Sequence, residues 1–270
     1  MTTKSGNTWD VIGSTVIGAN HVRTNAECQD AMYIHKNELG YVIAAVADGH
    51  GSKTCPYSSE GAHIAVMVSE KLLGTILSQG LNDAQFTFAA NKDDRIPKQL
   101  EIMWKEEVRS HHKAKKRDEV FDDLALFTLY GTTLVVIAAA FDFVFFIKIG
   151  DGDILMMSEE GAGFILEQEE KVGEDTESLC LDEAWKYVRT QIAQIKNNMV
   201  MFLISTDGYS NSFADKAGFL KAGEDFYKLW MEESLEFIEI SLEDWLRKSS
   251  DKGSGDDISL ALVVSGKNKC

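Results

Sequence analysis

Three apolar segments of this chain each lead into the dipeptide Asp-Gly. The first segment, residues 42–47, is a run of six apolar residues that predicts a strand buried on both faces. It stops at Asp48-Gly49-His50-Gly51, which places a carboxylate, an imidazole and two glycines where a buried strand ends. The three dipeptides are Asp48-Gly49, Asp151-Gly152 and Asp207-Gly208. A single Asp-Gly is usually a turn, but its repetition after buried strands indicates a shared site.

The order of the predicted elements favours antiparallel sheets with helices packed against them, an α+β fold. The predicted strands are residues 9–18, 31–35, 42–47, 134–140, 143–149, 154–157, 164–167, 199–205 and 258–264. The first three are joined by loops and turns, so the chain opens as a β-meander and not as a βαβ unit. The predicted helices are 53–77, 96–119, 182–196, 214–230, 232–238 and 242–250. Residues 19–30 and 80–94 are predicted as polar connections, and residues 1–270 as a single domain.

The composition excludes some classes of partner. The chain has 27 lysines and arginines against 43 aspartates and glutamates, a net charge of −16, so nucleic acid is not an expected partner. The polar first residues lack the apolar core of a signal peptide, and the four cysteines have neither zinc-site nor disulfide spacing. A cytoplasmic protein with reduced thiols is predicted. The most apolar stretch, residues 134–149, is interrupted by Asp142 and Lys148, which predicts a hairpin and no membrane span.

Several acidic clusters at one sheet edge would repel one another unless a cation neutralised them. The fourth cluster, Asp256-Asp257, comes directly before the last apolar strand. Antiparallel strands run both ways, so the start of this strand can lie beside the ends of the others. Oxygen ligands favour Mg²⁺ or Mn²⁺ over zinc. Two such ions can activate a water for attack on phosphorus, with His50 as general acid for the leaving oxygen.

At these positions the chain resembles the metal-dependent serine/threonine protein phosphatases of the 2C type. The matching segments are CQDA (28–31), VADGHGS (46–52), GTT (131–133), IGDGD (149–153), STDGYSN (205–211) and GDDIS (255–259). Each segment is short, but their order and their strand contexts make the set specific. The resemblance implies a four-layer α-β-β-α sandwich of two antiparallel β-sheets flanked by helices, with the metals in a cleft at one end.

The resemblance also implies roles for individual residues. Asp48 would bridge two Mg²⁺ or Mn²⁺ ions, and with His50 it would carry the catalysis. The carbonyl of the glycine after Asp48 would bind one of the ions, Asp30 would act through water, and Asp151 matches the position of a third, weaker ion. The implied metal ligands are Asp30, Asp48, Gly49, Asp207, Asp256 and Asp151.

Three positions depart from the family pattern. Gln29 stands where many members have Glu, and Asn25 stands where many have an arginine that binds the phosphate. Arg23 and His21 are the nearest substitutes for phosphate binding, and the sequence does not choose between them. Asn211 replaces an aspartate that supports the third ion, which puts that ion in question.

The resulting functional hypothesis is a Mg²⁺/Mn²⁺-dependent phosphatase that hydrolyses phosphoserine and phosphothreonine in proteins. Its expected partners are a phosphoprotein substrate and a cognate serine/threonine kinase, and it is expected to be a monomer. One alternative is a pseudophosphatase that keeps the fold as a binding or regulatory module. The three departures leave this alternative open, whereas the complete set of Asp48, His50, Asp207 and Asp256 argues against it. Another is an unrelated β-rich interaction domain in which the Asp-Gly pairs are only turns.

Overall fold

Ten β-strands form two antiparallel sheets in the computed structural model, which describes residues 7–91, 94–117, 122–167, 177–195 and 199–266. In chain order the strands are β1 (Thr8–Val16), β2 (Asp30–Lys36), β3 (Tyr41–Asp48), β4 (Leu134–Ala140), β5 (Phe143–Ile149), β6 (Asp153–Ser158), β7 (Gly161–Phe164), β8 (Arg189–Gln194), β9 (Met201–Ser205) and β10 (Ile258–Gly266). One sheet has the order β1-β10-β9-β6-β7, and the other has the order β2-β3-β4-β5-β8.

Long helices cover the outer face of each sheet, and shorter ones lie in the connections. The helices are α1 (Ala19–Thr24), α2 (Ser58–Ser78), α3 (Leu81–Ala89), α4 (Arg95–Ala114), α5 (Asp123–Thr128), α6 (Asp207–Ser210), α7 (Lys216–Glu232) and α8 (Leu235–Lys252). Leu73 of α2 and Trp104 of α4 belong to the core on the β3 sheet, whereas Phe219 of α7 and Leu242 of α8 belong to the core on the β10 sheet.

A third core lies between the two sheets and explains why their central strands are apolar throughout. Val46 of β3 and Phe146 of β5 pack there with Phe202 of β9 and Val263 of β10. Ile43 of β3 faces the helices instead. Strands with a hydrophobic layer on both faces lose the polar alternation of a half-exposed strand. The predicted four-layer α-β-β-α sandwich, of class α+β, is confirmed.

Two segments predicted as polar connections contain helices. Helix α1 lies within residues 19–30, and α3 lies within residues 80–94. In α3, Ala84 and Phe88 are buried on one face, and the ring of Phe88 stacks on Phe145 of β5 at a centroid distance of 4.3 Å. Two buried residues in so short a segment give a weak periodic signal, so tertiary packing decides the conformation.

The helix predicted over residues 182–196 is wrong. Ala184–Lys186 forms a 3₁₀ turn, and β8 follows it and pairs antiparallel with β5. Residue 196 lies outside the described residues. Because β8 is the edge strand of its sheet, one side of it meets solvent, and its polar sequence hides the strand pattern. Strand β7 also begins before the predicted strand at residues 164–167.

Several observed helices differ from the predicted ones in where they begin or end. Helix α2 begins at Ser58 and not at residue 53, because successive turns with hydrogen bonds from Cys55 to Ser52 and from Ser58 to Cys55 precede it. Helix α4 ends at Ala114, before the predicted end at residue 119, which lies outside the described residues. Helix α8 is continuous where two helices were predicted. Its buried residues include Ile238, Leu242 and Leu246.

The apolar stretch at residues 134–149 forms the β4–β5 hairpin, as predicted. Among the described residues, no helix taken singly has the length and apolarity to cross a membrane. The α2–α3 pair meets that criterion by length and composition only, with a bend of 119° between its helices.

Antiparallel pairing brings the acidic segments to one edge of the sandwich. Asp30 at the start of β2 lies opposite Asp48 at the end of β3. In the other sheet, Asp153 at the start of β6 lies opposite Ser205 at the end of β9. The hydroxyl of Thr206, just after β9, donates a 2.7 Å hydrogen bond to Oδ2 of Asp30 and so joins the edges of the two sheets.

Candidate metal centre and active site

The GTT segment fixes the end of β3. The N–H of Asp48 donates to Oγ1 of Thr133 at 3.1 Å. The carbonyl of Asp48 accepts from Oγ1 of Thr132 and from the N–H of Thr133, each at 2.9 Å. Both backbone polar groups of Asp48 are therefore engaged, so the scaffold sets the position of its carboxylate.

Asp30 is held beside Asp48 by the other sheet. The Thr206 hydroxyl that donates to Asp30 also accepts the N–H of Ser259 at 3.0 Å. Burial raises the pKa of Asp30 well above its usual range, although the hydrogen bond from Thr206 opposes that rise. The negative charges of Asp257 and Asp207 raise it further. Asp30 is therefore placed among other carboxylates, where its ionised form is disfavoured.

Five carboxylates interact electrostatically at this edge. The pKa of Asp48 is raised well above its usual range, first by burial and then by the charges of Asp30, Asp207, Asp256 and Asp151. The pKa of Asp207 is raised to about 6, again first by burial, and then by Asp151 and Asp256. The sequence prediction that the separate acidic segments meet therefore agrees with the structure.

This donor set fits a hard divalent cation. Carboxylate oxygens are the ligands that Mg²⁺ and Mn²⁺ prefer, and a cation would remove the repulsion that raises the pKa values of Asp48 and Asp207. Asn211, which stands where the family has an aspartate, donates a 2.9 Å hydrogen bond from Nδ2 to Oδ2 of Asp207. Asn211 thus orients a candidate ligand and adds no charge of its own.

Gly49 lies where no larger residue fits. A β-carbon at Gly49 would lie 2.6 Å from the carbonyl carbon and oxygen of Ser58, at the start of α2. The N–H of Gly49 donates to the carbonyl of Gln29 at 3.1 Å. The close packing of α2 against the strand end explains why glycine follows Asp48, and a metal-binding role for the Gly49 carbonyl stays a prediction.

His50 is packed against the backbone of Gly131. The N–H of His50 donates to the carbonyl of Gly131 at 3.2 Å. Burial lowers the pKa of His50, and the negative charge of Asp151 opposes that change. The imidazole therefore lies within electrostatic reach of Asp151 in the acidic cluster, and a general-acid role for His50 stays a prediction.

We expect Gly131→Ala to reduce turnover by displacing His50. A β-carbon at Gly131 would lie 2.6 Å from Cδ2 of His50 and 3.3 Å from each of the sulfur atoms of Cys55 and Cys180, so the ring would have to move. A fall of about tenfold in kcat with unchanged Mn²⁺ affinity would show this displacement. Gly163→Ala is the matched control, because a β-carbon there meets nothing within 4 Å. Equal kcat values for the two variants would contradict the prediction.

The two candidates for phosphate binding, His21 and Arg23, have different surroundings in the structure. Nδ1 of His21 donates to Oδ1 of Asp257 at 2.9 Å, and a ring nitrogen of His21 lies within 4.8 Å of a carboxylate oxygen of Asp256. The side chain of Arg23 is 64% exposed and pairs with Asp251 at 3.7 Å. His21 therefore lies at the edge of the acidic cluster, whereas the contacts of Arg23 are at the surface.

Sequence reasoning missed the role of Asp257. Its side chain is 3% exposed, and it accepts hydrogen bonds from the N–H groups of Gly18 and Gln29 as well as from His21. The doublet Asp256-Asp257 before an apolar strand was the available signal. Which of the two carboxylates is buried depends on the strand register, which the sequence does not show.

Lys148 is a second residue that sequence analysis did not connect with the site. It is 2% exposed, and burial lowers its pKa while the charge of Asp153 acts in the opposite direction. Burial raises the pKa of Asp153, and Lys148 opposes this. A buried cation thus lies near the acidic edge and partly offsets its negative charge.

Comparison with known proteins identifies the family. The family model described as Protein phosphatase 2C matches residues 17–247. The chain belongs to the protein phosphatase 2C family. A search of curated proteins gives no significant match.

Solved structures share the fold of this family member at low sequence identity. The serine/threonine phosphatase of S. agalactiae has a TM-score of 0.58 at 18% identity, covering 94% of this chain and 98% of its own. PppA of Pseudomonas aeruginosa, a regulatory component of a T6SS, has a TM-score of 0.60 at 15% identity, covering 97% and 99%. The catalytic domain of the phosphatase PstP, in complex with two manganese ions, has a TM-score of 0.56 at 15% identity, covering 96% and 98%.

We expect the metal-free form of this phosphatase-family protein to melt at a higher temperature at pH 5 than at pH 7. The pKa of Asp207 is about 6 in the folded protein against an ordinary value of 3.8, and the pKa values of Asp30 and Asp48 are raised too. Between these pH values the folded state binds more protons than the unfolded state, so stability falls as the pH rises. His50, whose pKa is lowered, acts in the opposite direction.

The measurement is the melting temperature in EDTA at both pH values, repeated with saturating Mn²⁺. Bound cations stabilise the ionised carboxylates, so Mn²⁺ should raise the melting temperature by several degrees more at pH 7 than at pH 5. An equal effect of Mn²⁺ at both pH values, or a metal-free form that is more stable at pH 7, would contradict this.

Proposed function

We propose that this chain is a Mg²⁺/Mn²⁺-dependent phosphatase that hydrolyses phosphoserine and phosphothreonine in proteins. The observation that carries the proposal is the meeting of five carboxylates from separate strand ends beside His50. Family membership supports a protein phosphatase. The manganese ions bound to PstP, which has the same fold, support the choice of metal.

The residues divide into cation ligands and substrate-handling groups. Asp48, Asp207 and Asp256 would hold the ions, with Asp30 and Asp151 at the edges of the cluster and Gly49 contributing its carbonyl. When bound, the ions would supply Lewis acidity that activates water and neutralises phosphate charge. The proposal takes two ions and no third ion near Asp151, because Asn211 offers an amide where the resemblance implies a carboxylate.

His50 would handle the proton of the leaving group. An alkoxide leaves as the alcohol only when a proton reaches its oxygen, and an imidazole at the edge of the cluster can deliver it. The lowered pKa of the free His50 would rise when a phosphate dianion binds nearby, because an adjacent negative charge favours the imidazolium form. Substrate binding would thereby favour the protonated form of His50, which is the form that acts as a general acid.

We propose His21, and not Arg23, as the phosphate-holding residue of this chain. His21→Ala should raise KM several-fold, whereas Arg23→Ala should leave KM unchanged, because the Arg23 side chain pairs with exposed Asp251. KM for a phosphothreonine peptide, measured with saturating Mn²⁺, checks both variants. A raised KM in the arginine variant with an unaltered KM in the histidine variant would reverse the assignment.

The direct test of the proposed activity is phosphate release from phosphothreonine peptides and from nitrophenyl phosphate. Activity should vanish after thorough chelation and return with Mn²⁺ or Mg²⁺. A folded protein that binds Mn²⁺ without turnover on any phosphopeptide would favour the pseudophosphatase alternative. A cytoplasmic location, a monomeric state and a cognate kinase remain parts of the proposal.

A further inference from the structure

Asp257 is a buried carboxylate in contact with the candidate phosphate-holding histidine. Its Oδ1 accepts from the N–H of Gly18 at 2.6 Å and from Nδ1 of His21 at 2.9 Å. Its Oδ2 accepts from the N–H of Gln29 at 2.7 Å. All three donors belong to the segment that runs from the end of β1 to the start of β2, so one side chain ties this segment to β10.

The hydrogen-bond pattern distinguishes an anchor from a metal ligand. His21, Asp256 and Asp257 offer ligand atoms that lie within 4.8 Å of one another, which by itself is compatible with a cation. Each oxygen of Asp257, however, already accepts at least one hydrogen bond from the protein. Two of the donors are backbone N–H groups, and that of Gly18 is buried, so it needs a partner. A carboxylate whose oxygens both accept hydrogen bonds from the protein has few lone pairs left for a metal ion.

The bond to His21 also sets the chemistry of the imidazole. A carboxylate that accepts from Nδ1 fixes the ring orientation and leaves Nε2 as the nitrogen available to a ligand, as carboxylates do for metal-binding histidines. We infer that Asp257 is a positioning residue, which orients His21 so that Nε2 contacts the phosphate group of the substrate. This inference rests on the proposed function of the site.

An asparagine at position 257 keeps the shape of the side chain and loses one acceptor. If the amide oxygen keeps the hydrogen bonds from Gly18 and His21, the NH₂ group faces the N–H of Gln29. Both of these groups are donors, so no hydrogen bond forms between them. If the amide turns over, the NH₂ group faces Nδ1 of His21 instead. Either arrangement loosens the link between β10 and the His21 segment without changing the volume of the side chain.

Ser250 provides a matched control for a purely structural effect. Its hydroxyl accepts from the N–H of Ala19 at 3.0 Å and donates to the carbonyl of Asp256 at 2.8 Å, so it joins the same two segments without contacting His21. If Asp257 acts only by holding the segments together, Asp257→Asn and Ser250→Ala should have similar effects on phosphate binding.

The first experiment needs no variant at residue 257. In ¹⁵N NMR spectra of the Mg²⁺-loaded wild-type protein at pH 7.5, with His21 assigned by its loss in His21→Gln, we expect Nδ1 of His21 to carry a proton. Inorganic phosphate should then shift the resonance of Nε2. A proton found on Nε2 alone, or an Nε2 resonance that phosphate leaves unchanged, would overturn the inference.

The second experiment measures binding of inorganic phosphate to the Mg²⁺-loaded protein by calorimetry. Asp257→Asn and His21→Ala should each weaken phosphate binding roughly tenfold, the double variant should bind no more weakly than His21→Ala, and Ser250→Ala should bind like wild type. Effects that add in the double variant, equal effects of Asp257→Asn and Ser250→Ala, or lost Mg²⁺ binding in Asp257→Asn would overturn the positioning role.

Phosphate binding does not require turnover, so the two proposals can fail separately. A wild-type protein that binds phosphate through His21 but hydrolyses no phosphopeptide would reject the proposed activity and keep the role of Asp257. An active enzyme whose phosphate affinity is unaffected by Asp257→Asn would reject the role of Asp257 and keep the activity.

Discussion

Asp207→Asn is expected to abolish phosphatase turnover and to stabilise the metal-free protein at pH 7. The variant removes a candidate metal ligand, and since outer-shell changes at metal sites alone cost 10–100-fold, the loss of turnover should be about 10²-fold or more. Burial and the charges of Asp151 and Asp256 already disfavour the ionised Asp207 side chain. A neutral amide of the same shape removes that repulsion, so the melting temperature in EDTA should rise.

Turnover with saturating Mn²⁺ and the melting temperature in EDTA should be measured on the same preparation. Asp225→Asn is the control, because Asp225 is an exposed aspartate that pairs with Lys221 on α7. The control should keep wild-type turnover and stability. Wild-type turnover in Asp207→Asn would remove this residue from the site, and a lower melting temperature in EDTA would contradict the electrostatic explanation.

His50→Ala is expected to slow hydrolysis of phosphoserine and phosphothreonine peptides by roughly 10²–10⁴-fold. The same variant should affect nitrophenyl phosphate much less, because nitrophenolate leaves without needing a proton. The ratio of the two kcat values, measured on one preparation of the variant, does not depend on the fraction of protein that is folded or loaded with metal.

His35→Ala is the control for this comparison, since His35 lies near the far end of β2, where it is paired with Ile43 and not with the residues of the acidic edge. It should leave both kcat values close to those of the wild type. Equal losses on both substrates in His50→Ala would make His50 a structural residue or a part of the metal site, and not a general acid.

The sequence predicted the elements whose burial is complete. Strands β3, β4 and β5 are covered on both faces, so their apolar runs are continuous and easily recognised. The residues that follow such strands, Asp48 and Asp207 among them, could therefore be placed at strand ends before the structure was known. Antiparallel register accounts for the pairing of Asp30 with Asp48, and the face-to-face packing of the two sheets brings Asp207 to the same edge.

Elements with partial burial were harder to predict. Helix α3 has two buried residues, Ala84 and Phe88, and β8 lies at a sheet edge, so neither carries a strong periodic pattern. Their conformations depend on the surfaces of β5 that they cover, which are formed by residues distant in sequence. Tertiary packing of this kind overrides local propensity.

The finer chemistry of the site also depended on contacts distant in sequence. Asp257 bonds to Gly18, a residue 239 positions earlier, and no local pattern reveals such a contact. The proposal of His21 instead of Arg23 for phosphate binding depends on how residues 19–24 fold, because His21 of helix α1 contacts Asp257 while the contacts of Arg23 are at the surface. A sequence names the candidate groups, but the fold decides which of them meet.

The most direct measurement of the central claim is a Mn²⁺ titration of the metal-stripped protein in which bound Mn²⁺ and phosphate release from a phosphothreonine peptide are recorded together. If the carboxylate cluster is a metal-dependent hydrolytic site, turnover should be absent at the start and should rise in step with Mn²⁺ occupancy. Asp48→Asn, titrated in parallel, should show weakened Mn²⁺ binding and no turnover. Turnover that begins before any Mn²⁺ is bound, or that persists undiminished in Asp48→Asn, would contradict the claim.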